Sequence, residues 1–310
     1  MDTINELRIS AKKFNKIVIW GLRKKFHTHR YIFLGYYKTL KKVGIPVVWV
    51  EDEMKNQSII EKGDLVISAE MQGKMVPAKI KFEDYYLPIR DDVYYCLHNF
   101  QDIFVDKINP EKLLKLQVYV NYAQQFKEIY VGVHFDEQNK TLYQPWGTDL
   151  LPEEFKKPTF NKGKRVFWIG SVWNNALNQG NESEISILKA ALKKNNLRFV
   201  NLRFIPDALN IFLIRHSRIA PAIAGKFQVD SNYLPCRMFK NISYGQLGFT
   251  NVTKFGSILG EYNISGSIEE MVGKTLALKE KEYKELTSNQ QKIVKNYTYL
   301  QHLNNIFKFL

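Results

Sequence analysis

The chain has 310 residues, 45% hydrophobic and 14% aromatic, which is enough to bury one large core or two ordinary ones; two domains is the expected division. Its formal net charge of +14 suits a nucleic acid, an anionic membrane surface or a phosphorylated small molecule. No window approaches about 18 uninterrupted apolar residues, and the opening stretch MDTINELRISAKKF lacks an apolar signal core, so neither a spanning helix nor a secretory signal is expected.

The cysteines are Cys96 and Cys236. They are far apart and lack metal-ligand spacing, so free thiols in a reducing, cytoplasmic setting are expected, the protein being soluble or peripherally bound to a membrane. Lysines are spread widely, with small clusters at Lys24-Lys25, Lys41-Lys42, Lys156-Lys157 and Lys193-Lys194. No recognised nucleic-acid motif or aromatic–basic interleaving appears, so nucleic acid is not an expected partner.

In chain order, residues 1–15 read as a short polar helix or arm. Lys16–Trp20 is a buried strand, Arg30–Val43 a helix stopped by Gly44, and Ile45–Val50 the next strand, the length of a strand–helix–strand crossover. The first turn carries no glycine fingerprint for a dinucleotide. His27, Thr28, His29 and Arg30 stand there instead, at a strand carboxyl end, where open α/β sheets bind ligands. A histidine that merely caps or packs the helix start fits this position equally well. Asp64–Ser68 and Val93–Leu97 are further strands. The second ends at His98, on the same sheet edge as His27 and His29. Residues 71–88 read as loop, and 115–120 and 128–134 as short strands.

Residues 141–165, with three prolines and two glycines, read as a hinge; Trp146, Thr148 and Asp149 are expected to face an interdomain cleft or to pack as a loop. The pattern then restarts. Arg165–Ile169 is a strand ending in Gly170-Ser171, and a helix runs to about Asn195, capped by Asn181 or Ser183. Residues 197–204 read as a strand, 208–214 as a helix, 219–224 as a strand or turn, and 268–310 as helical.

The stretch FQVDSNYLPCRMFKNISYGQLGFTN (227–251) reads as loop, short helix, Gly stop and buried strand. Pro235 suits a first turn and Gly245 the position past the helix end. Met238 and Ile242 face a core. Arg237, Lys240, Asn241 and Tyr244 fall on the other side at helical spacing. Orphan N–H groups and the Arg237 fork make this a phosphate or diphosphate candidate; the same spacing also fits a solvated surface helix.

The expected fold class is α/β, two Rossmann-like domains facing a cleft: 1–150 on the acceptor side, 151–290 for the donor, and a C-terminal helix, 291–310, packing back across the hinge. Through FHTHRYIFLGYYKTLKKVGIPVVWVED (26–52), YYCLHN (94–99), QPWGTDLLPEE (144–154), FWIGS (167–171) and YLPCRMFKNISYGQLGFTN (233–251), the chain resembles the GT-B glycosyltransferases, with a distant similarity to the donor segment of fucosyltransferases. The Glu-Lys pairing usual in that segment is absent; Arg237 and Lys240 take its place.

The resemblance implies transfer of a sugar from a GDP- or UDP-linked nucleotide sugar to a glycan or other hydroxyl acceptor. Arg237, Lys240, Asn241 and Ser243 would hold the diphosphate; Gly170, Ser171 and Asn181 would touch phosphate or ribose; Gln228, Tyr233 and Asn251 would line the donor pocket. His27, His29, His98 or Asp149 would serve as base. No metal ligand set and no obligatory cofactor is expected. A basic nucleic-acid-binding α/β protein, or a catalytically idle module of the same fold, are the alternatives.

Overall fold

The computed structural model describes residues 3–21, 23, 28–69, 87–98, 107–118 and 133–310. The chain divides into two compact units. Unit 1 takes the N-terminal half through Gln144 together with Tyr299–Leu310, and the described part of unit 2 runs from Pro145 to Thr298. The chain leaves unit 1 at 144/145 rather than 150/151, and its last segment begins at 299 rather than 291.

Unit 1 is α/β. Its strands are β1 (Ile17–Trp20), β2 (Val47–Val50), β3 (Leu65–Ala69), β4 (Tyr94–His98), β5 (Leu113–Gln117), β6 (His134–Asp136) and β7 (Thr141–Tyr143). Among the described residues they form one sheet in the order β2-β1-β3-β4-β5-β7-β6, parallel throughout except for the edge strand β6. The order reverses at β1, so the carboxyl ends of β1 and β3 flank the switch point where such sheets bind ligands. The apolar runs have no alternation because both sheet faces are covered. Val18, Val66, Tyr95 and Leu97 are buried in one cluster. Helices α1 (Thr3–Ala11), α2 (Thr28–Lys42) and the C-terminal α10 (Tyr299–Phe309) belong to this unit. Gly35 is where α2 and α10 touch: a Cβ there would meet the Tyr299 ring at 2.4 Å.

Unit 2 is built on β8 (Arg165–Ile169), parallel to β9 (Arg198–Leu202), and on β10 (Ala220–Pro221), parallel to β11 (Gly248–Phe249). The Arg218 amide donates to Arg165 O at 2.8 Å, and the Phe167 amide donates to Ser217 Oγ at 3.0 Å, which seats the β10 pair beside β8. Helices α3 (Glu182–Lys194), α4 (Asp207–Arg215), α5 (Lys226–Asp230), α6 (Cys236–Ser243), α7 (Phe255–Leu259), α8 (Ile268–Ala277) and α9 (Glu280–Val294) complete it. Trp168, Leu188, Phe249, Met271 and Tyr283 share its main core.

Several expected elements differ in extent. The strand expected at 247–251 is two residues long. Gln290 of α9 supplies its missing neighbour: Oε1 accepts the Gly248 amide at 2.9 Å and Nε2 donates to Gly248 O at 2.9 Å. The strand expected at 115–120 is β5, ending at Gln117. Of the stretch 128–134 only the last two residues are described. The expected hinge is no single linker, because Thr141–Tyr143 is β7, paired on both sides. Trp146 and Thr148 are 2% and 0% exposed within unit 2.

Candidate functional site

At the carboxyl end of β8 the backbone passes through Gly170 at φ +146°. Its amide still pairs with Leu202 O at 2.9 Å, so the ladder to β9 continues to this point. Over it lies Arg237, from the first turn of α6. The guanidinium carbon stands 3.7 Å from the centroid of the buried Trp168 ring, and Nη2 donates to Ile169 O at 3.2 Å. A Cβ on Gly170 would meet Nη2 at 2.2 Å. Glycine is therefore required twice over, for its backbone conformation and for the approach of the cation.

Arg237 makes one hydrogen bond with the described residues, though a guanidinium carries five N–H donors. Among the described residues no carboxylate pairs with it. Enclosure by protein atoms pushes its pKa down to about 10, against small opposing contributions from Cys236 and Tyr233. A cation held this way has electrostatic room for an anion.

Beside it, Ser171 Oγ accepts from Arg203 Nη2 at 2.9 Å. Arg203 follows β9 directly, at the same edge of the sheet. Asn201 Nδ2 donates to Trp168 O at 3.1 Å and Gly170 O at 2.8 Å, fixing the turn. The loop from 171 to 181 is clamped by Asn181, whose Oδ1 accepts the Trp173 amide and whose Nδ2 donates to Ser171 O. The first turn of α3 already carries Glu182 and Glu184, which complement its dipole. The first turn of α6 carries Arg237 and no acidic residue.

The remaining donor-side candidates are placed differently. Asn241 is 2% exposed and donates to Ala220 O at 2.8 Å, tying α6 to β10. Ser243 is fully buried and shares a 2.7 Å hydrogen bond with Thr148 Oγ1. Asn251 clasps Ala224, accepting its amide and donating to its carbonyl, both at 2.8 Å. These three, with Asn181, hold backbone and hydroxyl groups in place. Gln228 Oε1 accepts the Gly225 amide at 3.4 Å, and Tyr233 is buried near Arg237.

Lys240 Nζ lies 3.7 Å from Asp149 Oδ2, with side chains 14% and 10% exposed. Tyr244 OH donates to Asp149 Oδ1 at 2.8 Å and is itself 1% exposed, inward of the polar face on which helical spacing put it. Burial opposes the charge on Lys240, but Asp149, together with Cys236 and Asp207, outweighs it and the pKa is raised. Burial, then Asp149, drives Tyr244 well above the ordinary phenol value. Asp149 thus stands as counter-ion in a packed triad.

In unit 1, His27 lies outside the described residues, as does the side chain of His29. His98 is described, and it is 1% exposed. The Tyr36 hydroxyl sits between its Nε2, at 3.4 Å, and His302 Nδ1, at 2.9 Å. That cluster joins β4, α2 and α10 in the interior. Among the described residues no group of three or more His, Cys, Asp or Glu could hold a metal ion.

The chain matches no protein-family model and no curated protein. Gly170, Ser171 and Arg237 converge, joined by Trp168 and Arg203, which the sequence reading passed over. Arg203 had one sequence signal: it lies near the carboxyl end of the strand read at 197–204, at the edge where such βαβ units bind ligands.

Proposed function

We propose that the protein is a glycosyltransferase of the two-domain GT-B kind, and that unit 2 binds the diphosphate of a nucleotide sugar at the carboxyl end of β8. The observation that carries this reading is Arg237: half-buried, stacked on Trp168, and among the described residues making one hydrogen bond and pairing with no carboxylate. In the transfer, the acceptor oxygen forms a bond to the anomeric carbon as the bond from that carbon to the β-phosphate oxygen breaks. The acceptor proton passes to a base, and the nucleoside diphosphate leaves with the bonding pair. Negative charge grows on the leaving phosphate, where a fixed fork of N–H donors stabilises it most. Arg203, tethered to Ser171 Oγ, supports the same charge from the loop side. With cations in these roles, turnover in the presence of a chelator is the expected outcome. Asp149 is tied to Lys240 and Tyr244, which fits a counter-ion better than a base.

The test is a thermal-shift panel of UDP, GDP, CMP, dTDP and their sugars on the wild type and on Arg237→Ala. A ligand at about 100 times its dissociation constant adds roughly 2.7 kcal/mol to the folded state. One nucleotide diphosphate should raise Tm in the wild type and not in the variant. No response to any of them, or an equal response in both proteins, would overturn the reading.

A further inference from the structure

Helix α4 is apolar on two sides. Its inner side carries Ile211 and the buried Ile214, packed with Leu150, Ala220 and Tyr244. Its outer side carries Leu209 and Phe212, 42% and 54% exposed, one turn apart. Phe204, in the turn entering the helix, is 51% exposed, and Arg203 lies over its ring at 5.1 Å. Phe204 is held at φ +56°, a conformation costly for a bulky side chain. His216 stacks on Phe212 with centroids 4.0 Å apart. An apolar face turned outward in this way belongs against a second apolar phase.

The surroundings identify that phase. Residues 155–165 and 203–218 contain five and three Lys or Arg respectively, against the single carboxylate of Asp207. These segments meet at the end of α4: Arg215 Nη1 donates to Lys157 O at 3.0 Å, Asn161 Nδ2 to Ser217 O at 3.0 Å, and the Arg218 amide to Arg165 O at 2.8 Å. Lys162, Lys164 and Arg165 are exposed beside them. Asp207 acts on Lys240 and Tyr244 in the interior, so it does not offset this collar. A second copy of the chain would bring the same cations against themselves. Aromatic and leucine side chains within a cationic rim match the interface of a bilayer bearing anionic headgroups.

We propose that the outer face of α4, with Phe204, Leu209 and Phe212 inserted and the 157–165 lysines around them, docks unit 2 on an anionic membrane surface. This stands independently of the nucleotide reading. The test is co-sedimentation of the full chain with vesicles of phosphatidylcholine alone and with about 30% phosphatidylglycerol. Expected are binding about tenfold or more stronger to the anionic vesicles, a fall with added salt, and about tenfold weaker binding of Leu209→Ser/Phe212→Ser. The Lys162→Glu/Lys164→Glu variant tests the rim without touching the apolar face and should weaken binding likewise. Equal binding to neutral vesicles, equal binding by both variants and wild type, or a self-association that the serine variant abolishes in place of vesicle binding would each overturn the proposal.

Discussion

Arg237 rests on Trp168, its guanidinium carbon 3.7 Å from the ring centroid, and its Nη2 fills the space that a side chain at Gly170 would need. The cation is held by a ring face and one carbonyl rather than by a carboxylate. Such an arrangement costs the empty protein and serves an incoming anion. Arg237→Met should therefore abolish nucleotide stabilisation while leaving the Tm of the ligand-free protein level or higher, because a half-buried charge without a carboxylate partner among the described residues is removed. Arg237→Lys should recover little, since an ammonium lacks the planar fork. A charge-assisted hydrogen bond is worth about 2 kcal/mol, so titration calorimetry should find affinity reduced roughly 30-fold or more. A ligand-free Tm several degrees lower in Arg237→Met would mark the residue as structural instead.

Gly170→Ala tests the same contact from below. The new Cβ must displace the Arg237 guanidinium, and the backbone at φ +146° strains any L side chain. The expected cost is about 2 kcal/mol together with the loss of nucleotide response. Gly163→Ala is the control, since a Cβ there meets nothing within 4 Å and its φ is not positive. Urea denaturation should separate the two; equal stabilities would remove the steric argument.

Much of this architecture was legible in the sequence because its signals are local and periodic. Ile17–Trp20 and Arg165–Ile169 are short apolar runs closed by glycine, and α2, α3 and α6 carry helical spacing with recognisable stops. Met238 and Ile242 were readable as core for that reason, and both are fully buried. Polar residues were not readable in the same way. Asn241 and Tyr244 share the spacing of a solvated face, and Ser243 was read as a diphosphate contact, yet each is buried on a partner far away in sequence: Ala220, Asp149 and Thr148. Helical periodicity reports which side a residue occupies, and only tertiary packing decides whether that side meets water. Arg203 was missed because its meaning depends on β9 lying beside β8, a pairing that no local pattern encodes. The extent of β11 was misjudged because, beyond its short pairing with β10, its backbone is met by a side chain, Gln290, and not by a further strand.

Asp149 offers a choice between structural and catalytic roles that a stability measurement can decide. Its carboxylate lies 3.7 Å from Lys240 Nζ and accepts the Tyr244 hydroxyl at 2.8 Å. Asp149→Ala leaves a mostly buried ammonium without its counter-ion and should cost about 3 kcal/mol. Adding Lys240→Met should return a substantial part of that loss, because the stranded charge is then gone. If Asp149→Ala instead left the urea midpoint unchanged while removing turnover, the residue would be a base and not a counter-ion.

Alkaline pH should unfold the protein through its buried phenols. Burial holds Tyr36 and Tyr244 well above the ordinary phenol value, raises Tyr283 and lifts Tyr95 to about 12. Below about pH 10 both folded and unfolded chains keep these protons, and stability does not depend on them. Above it the unfolded chain releases protons that the folded chain retains, so each such tyrosine lowers stability by about 1.4 kcal/mol per pH unit until its folded pKa is reached. Lys240, also raised, acts in the same direction. Arg237, lowered to about 10, and Lys13 and Arg215, also lowered by burial, act with the opposite sign and are outnumbered by the raised groups. The buried Cys96 thiol, pushed up by burial, adds a loss that begins near the ordinary thiol value, so stability should be flat between about pH 7 and 8, decline slowly above that and fall steeply above about 10. In an alkaline titration, part of the phenolate absorbance should appear together with the loss of helical circular dichroism. Smooth ionisation of all tyrosines with the helical signal intact would show that these phenols are open to solvent.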